Sequence, residues 1–261
     1  MESNPTSEIL KGHTRWVNSV VFNHDGTKIV SGSRDSTIRV WDVSTGECLT
    51  LKGHTSYVNS VGFNHDGTKI VSASWDKTIR VWNVSNGVCL STLKGHTGFV
   101  FSVAFNHDGT KIVSASRDET IRVWDVSTEK NILTLKGHTS YVSSVGFNHD
   151  GTKIVSGSFD QEIRVWDVST GVCLSTLKGH TSYVNSVVFN HDGTKIVSAS
   201  SDNTIRVWNV SNGVCLSMLK GHTNWVNSVA FNHDGTKIVS ASGDNTIRVW
   251  DILFFRYTFT E

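Results

Sequence analysis

The sequence has no apolar run approaching the ~18 residues that a bilayer-spanning helix requires. Its opening, MESNPTSEIL, has an early glutamate and no apolar stretch of the kind that directs secretion. Neither sign of charge dominates. With 24 basic and 23 acidic residues the net charge is +1, so nothing marks nucleic acid or an anionic membrane as a partner. Cys-x-x-Cys is absent. Cys48, Cys89, Cys173 and Cys215 take one equivalent position in four copies of a repeated unit, and Asn131 takes it in another. Equivalent positions in separate units stay apart, which argues against disulfides and for apolar, buried or half-buried roles. Proline is confined to Pro5, and no window has a helical period. The expectation is an intracellular protein, cytoplasmic or nuclear, with no cofactor and a chain long enough for a sizeable core.

What is present is repetition. FNHDGTKIVS begins at Phe22 and again at Phe63, Phe105, Phe147, Phe189 and Phe231. Gly-His recurs at Gly12, Gly53, Gly95, Gly137, Gly179 and Gly221, spaced by 41 residues once and then by 42. A tryptophan follows each of these glycines 29 residues later, and Asp or Asn comes next. Such a period marks a repeat architecture. Within the first unit, WVNSVVF alternates as a strand, with Trp16, Asn18, Val20 and Phe22 on one face and Val17, Ser19 and Val21 on the other. NHDG reads as a hairpin turn, KIVSGS as a second strand, TIRVWD as a third and CLTLK as a fourth. A four-stranded meander has two faces and cannot bury both alone. Stacking the sheets and closing them into a ring solves this, which predicts a β-propeller.

Gly-His, a DG hairpin, an Asp six residues before Trp, and a closing Trp-Asp or Trp-Asn resemble the WD40 repeat. The likeness extends over about 240 of the 261 residues, in six units in phase. NHDG stands where that family commonly has SPDG. The resemblance implies an all-β WD40-type β-propeller of six four-stranded blades in one domain, residues 1–261. The blade units would be 12–52, 53–94, 95–136, 137–178, 179–220 and 221–251. It also implies a buried hydrogen-bond network in each blade, joining His, a strand Ser, the turn Asp and Trp. The matching residues are His13, Asp35 and Trp41; His54, Asp76 and Trp82; His96, Asp118 and Trp124; His138, Asp160 and Trp166; His180, Asp202 and Trp208; and His222, Asp244 and Trp250. In the first unit the serine is Ser31 or Ser33, and sequence does not choose between them.

His, Ser and Asp also compose a hydrolase triad. A triad needs an exposed nucleophile, an oxyanion hole and a cleft. Six copies inside sheets, with no Gly-x-Ser-x-Gly elbow, argue against an enzyme. His24 and Asp25 of the hairpin read as solvated turn residues. Their copies on separate blades are expected to point outward and not converge, so no metal site is expected.

Closure is expected from residues 1–11. SEILKGHT (residues 7–14) resembles the fourth-strand sequence CLSTLKGHT and could complete the last blade as its outer strand. An open ring that associates with another chain is the alternative. The tail, residues 252–261, replaces turn chemistry with ILFFRYTFTE and offers a means of self-association.

Three of the positions that vary between units are the most informative. One holds Trp16, Tyr57, Phe99, Tyr141, Tyr183 and Trp225; the second Asn18, Asn59, Phe101, Ser143, Asn185 and Asn227; the third Arg34, Trp75, Arg117, Phe159, Ser201 and Gly243. In the family resembled, these positions border the central channel and commonly contact partners. The implied function is a non-catalytic scaffold that binds a protein or peptide on an aromatic-lined face. A phosphopeptide or acidic-motif receptor using Arg34 and Arg117 is the alternative. A truncated repeat array without a dedicated partner is a third reading. Trp75 and Phe159 stand out, because a large apolar residue beside a polar turn has no evident core role.

Overall fold

The computed structural model describes residues 9–252, and every regular element among them is a β-strand. No helix among the described residues is long and apolar enough to cross a membrane. The first blade runs Val17–Phe22, Lys28–Ser33, Thr37–Asp42 and Cys48–Lys52, paired antiparallel in chain order. Four more four-stranded sheets repeat this order, and the sixth contains Val226–Phe231, Lys237–Ser242 and Ile247–Asp251.

Each hairpin between the first two strands is closed by its own residues. Gly26 takes φ 74°, a conformation in which a Cβ would be strained, and its N–H donates to the Asn23 carbonyl at 3.1 Å. Asn23 accepts the Lys28 N–H at 2.9 Å, and Asp25 accepts the Thr27 N–H at 2.8 Å.

The inner strand carries a β-bulge in every blade. Val58 pairs with Ser74 and Ser60 with Ala73, so Asn59 is the extra residue. The bulge falls likewise on Asn18, Phe101, Ser143, Asn185 and Asn227. A bulge reverses the pleat beyond it. Val58 and Val61, three residues apart, therefore enter the same core. The alternation expected for WVNSVVF is corrected on this point: the positions of Val17 and Val20 belong to one face.

The cores lie between blades. Val30, Ile38, Val40 and Leu51 of the first blade pack against Val58, Val61, Ile70 and Trp82 of the second. Equivalent residues form the next four cores. Hydrogen bonds between inner strands run alongside. The Val61 N–H donates to Ser19 Oγ at 3.2 Å, and Asn18 Nδ2 donates to the Val58 carbonyl at 3.0 Å.

The two ends differ from this pattern. Val17 and Val20, whose equivalents are buried in the other blades, are 51% and 66% exposed. In the sixth blade Val239, Ile247 and Val249 are 42%, 73% and 67% exposed, whereas Val197, Ile205 and Val207 of the fifth are buried. The expected outer strand of the last blade is not among the described strands. Residues 9–11 lie in no strand, and the sixth sheet has three strands where four were expected. Residues 1–8 and 253–261, which include most of the predicted closing strand and of the tail, lie outside the described residues.

Candidate functional site

In each blade four side chains form a chain of hydrogen bonds with one consistent direction. Trp82 Nε1–H donates to Ser72 Oγ at 2.8 Å. The Ser72 hydroxyl donates to His54 Nε2 at 2.8 Å, and His54 Nδ1–H donates to Asp76 Oδ2 at 2.7 Å. The Thr55 N–H reaches the same carboxylate oxygen at 3.1 Å, and Thr78 Oγ1–H and N–H reach its other oxygen. Asp76 thereby fixes the histidine tautomer, and every donor in the chain is used. The serine left open by the sequence is Ser31 and its equivalents Ser72, Ser114, Ser156, Ser198 and Ser240. Ser33 instead donates to the Arg15 carbonyl and accepts the Asp35 N–H. The threonine after the turn was missed in the sequence, where only a Thr two residues past each Asp could have signalled it. Glu162 replaces it in the fourth blade.

The space above each Trp explains the glycine of Gly-His. A Cβ on Gly95 would lie 2.7 Å from Arg122 Nη1 and 3.2 Å from Trp124 Cη2. Each third-strand arginine sits over the indole of its own blade, as Arg122 does at 5.9 Å from Trp124. The four cysteines are free; Cys48 is exposed and the others are half-buried.

Burial alone would raise the network carboxyls. Hydrogen bonds more than offset it, from His54 and Thr78 on Asp76 and from His96 and Thr120 on Asp118, and hold both well below the ordinary 3.8. Asp160, also opposed by burial, is lowered to about 2 by His138 and by the N–H groups of Glu162 and Thr139. A carboxyl with a lowered folded-state pKa stabilises the fold above its unfolded value and loses that contribution as pH falls through the folded one. Melting temperature should therefore hold down to about pH 4 and fall steeply between about pH 4 and pH 2. A flat profile across that interval would show that the networks do not carry the carboxylates as described.

The variable positions assemble into one file along the rim where the inner strands begin. Arg34 lies over Trp16 at 4.3 Å and over Tyr57 at 5.7 Å. Tyr57 meets Trp75 at 5.0 Å between ring centroids, and Trp75 stacks on Phe99 at 4.7 Å with planes 1° apart. Arg117 bridges Phe99 and Tyr141 at 5.1 and 4.9 Å. Phe159 then lies between Tyr141 at 5.8 Å and Tyr183 at 4.4 Å. Each turn residue is thus inserted between the aromatic of its own blade and that of the next. This gives Trp75 and Phe159 the packing role that the sequence did not reveal. The file ends where the insert becomes Ser201, which accepts from Asn185, and no ring contact among the described residues links Tyr183 to Trp225.

The bulge residues are braces. Asn59 donates to the Phe101 carbonyl at 2.9 Å, Asn185 to that of Val226 at 3.0 Å, and Ser143 to that of Val184. The Phe101 ring approaches Tyr141 at 6.3 Å, and Asn227 makes no side-chain hydrogen bond among the described residues. Two concavities open on the file. One, of about 330 Å³, is lined by Thr14, Arg15, Trp16, Arg34 and Tyr57. The other, of about 370 Å³, is lined by Lys77, Thr97, Gly98, Phe99, Arg117 and Asp118.

On the opposite rim the turn histidines do converge, and the expectation that they point apart is corrected. His24, His65, His107, His149, His191 and His233 form a row with neighbouring centroids 4.2–4.8 Å apart. The inner strands end close together, so their hairpins crowd. Among the described residues no group of three or more His, Cys, Asp or Glu side chains is arranged to hold a metal ion.

Six antiparallel sheets joined through blade-to-blade cores, each pinned by a His–Ser–Asp–Trp network, define a repeat β-propeller. Residues 4–42, 46–83, 87–125, 129–167, 171–209 and 213–251 match the family described as WD domain, G-beta repeat, and the chain belongs to the WD40 family. It is similar to Probable E3 ubiquitin ligase complex SCF subunit sconB of Arthroderma otae, with 43% identity over 44 residues, 17% of this chain and 6% of that protein. Similarity to Small ribosomal subunit protein RACK1 of Dictyostelium discoideum is 51% over 37 residues, 14% of this chain and 11% of the relative. Similarity to the Ribosome biogenesis protein BOP1 homolog of Drosophila grimshawi is 47% over 47 residues, 17% and 6%. Each match is about one repeat long and leaves most of the relative's length unmatched.

Proposed function

We propose that the protein is a non-catalytic scaffold that binds a protein segment or peptide along the rim bearing Trp16 to Tyr183. The observation that supports it is the unbroken file of rings and guanidinium groups across the first five blades. Stacked neighbours hold these side chains in place, so a ligand meets large surfaces already ordered, which lowers the entropy lost on binding. The networks beneath make the platform rigid. Ser72, Ser114 and their equivalents are buried and occupied on both sides, which leaves no accessible nucleophile in the His–Ser–Asp set. Family membership agrees with this reading, and the relatives' names describe parts of multiprotein assemblies.

Selection of random displayed peptides against the protein tests it. Bound peptides should lose about tenfold or more in affinity with Trp16→Ala or Arg117→Ala and none with His149→Ala on the opposite rim. Selected binders indifferent to both rim substitutions would remove the rim as the site. A specific observation favours acidic or phosphorylated ligands as the second reading: no carboxylate among the described residues lies within ion-pair distance of Arg34 or Arg117, although each opens on a concavity. Under that reading, phosphatase treatment of selected phosphopeptides abolishes binding.

A further inference from the structure

We propose that the cleft between the fourth and fifth blades binds a small amphipathic anion, a carboxylate on a short aliphatic body. The cleft has a volume of about 510 Å³, within the range of sites that take small ligands. Lys153, Val165, Leu174 and Ser175 of the fourth blade form one wall, and Asn209 and Val210 of the fifth stand opposite.

Three uncommitted donors belong to this cleft. Ser175 pairs with Val165 in the ladder, and Val165 packs in the core against the fifth blade, so Ser175 faces that blade as well. Its hydroxyl is buried with no hydrogen-bond partner among the described residues, a costly state that an incoming acceptor relieves. Lys153 lies two residues before Val155, on the same face, and its ammonium makes no ion pair among the described residues. Asn209 Oδ1 accepts the Ser211 N–H at 2.8 Å, the Ser211 hydroxyl at 2.7 Å and the Asn212 N–H at 3.3 Å. These bonds orient the amide, and its Nδ2 makes no hydrogen bond among the described residues. No carboxylate lines the cleft. Asp167, opposite Lys153 in the ladder, directs Oδ1 to Ser169 and Thr170 and makes no ion pair with the lysine. One cation and two neutral donors fit a carboxylate head. Val165, Val210 and the half-exposed Leu174 fit an aliphatic body, which removes apolar surface from water.

The other clefts of the same build lack this set. Asp125, Asp167 and Asp251 stand where Asn209 does and bring a carboxylate to the next blade's wall. Between the first and second blades Asn83 keeps the amide, but Leu49 replaces the serine opposite Val40, Asp42 holds Lys28 at 3.2 Å and Glu47 joins the lining. Among the described clefts only the one between the fourth and fifth blades combines serine with asparagine.

Octanoate is the probe, titrated calorimetrically into the full chain. It should bind at one site per chain. Octanol, which lacks the charge, and acetate, which lacks the body, should each bind at least about tenfold more weakly. Lys153→Ala and Asn209→Asp should each weaken octanoate by about tenfold or more. Aspartate already occupies the position of Asn209 in three other blades, so Asn209→Asp leaves the fold intact. Asp125→Asn is the converse: it faces Ser91 and Lys69 with an asparagine and should add a second octanoate site. No binding of octanoate at millimolar concentration overturns the proposal, as does binding that both Lys153→Ala and Asn209→Asp leave unchanged. Octanol binding as tightly as octanoate overturns the anionic head. Failure of Asp125→Asn to add a site overturns the assignment of the site to serine and asparagine.

Discussion

Asp118→Ala is expected to lower the unfolding free energy by about 3–5 kcal/mol, read from the urea midpoint. Asp118 accepts His96 Nδ1–H at 2.8 Å, the Thr97 N–H at 2.9 Å, the Thr120 N–H at 3.1 Å and the Thr120 hydroxyl at 2.6 Å. Alanine removes the acceptor of all four donors, and the His96 side chain among them is buried. The tautomer loses its support at the same time, which weakens the bonds to Ser114 and Trp124. Asp118→Asn retains one oxygen and should cost less. A loss under about 1 kcal/mol for alanine would mean that the network does not hold the blade.

The second large effect is a contrast between two equivalent positions. Val145→Asp should cost more than about 4 kcal/mol and leave most of the chain unfolded, because it places an unpaired carboxylate in the core between the third and fourth blades. Val20→Asp should cost less than about 1 kcal/mol, since that side chain is exposed. Chemical denaturation of the two variants side by side measures the difference. Equal costs would show that the first blade's face is covered in solution.

Much of the blade was legible because its relations are local or recur at one spacing. The Gly-His, Asp and Trp positions lie within thirty residues of each other, and six copies made the pattern unambiguous. The choice of Ser31 over Ser33 was not legible, because it depends on which serine the pleat turns toward the Trp41 indole. The bulge at Asn18 was hidden for a related reason: strict alternation is the default for an apolar strand, and nothing in VNSVVF announces an extra residue. The file and the histidine row arise between blades, from residues 24 positions apart where Trp75 meets Phe99 and 42 apart where His65 meets His107. Their adjacency follows from how the sheets are splayed around the axis, which residue order does not encode. For the same reason Trp75 and Phe159 looked unoccupied in the sequence while each has a neighbour on both sides.

The near-identity of the units sets a kinetic problem for the chain. KIVSAS in the second, third, fifth and sixth blades offers every inner strand several equally good partners before the native one is found. Hairpin formation across the short NHDG turn is fast and local, and it selects the correct pairing simply by arriving first. Joining blades in order has no such guide, and skipped units are expected to compete during refolding. The rim side chains, which differ from blade to blade, and the small residue that is Gly32 or Gly157 in two blades and alanine in the others, can tell one junction from another.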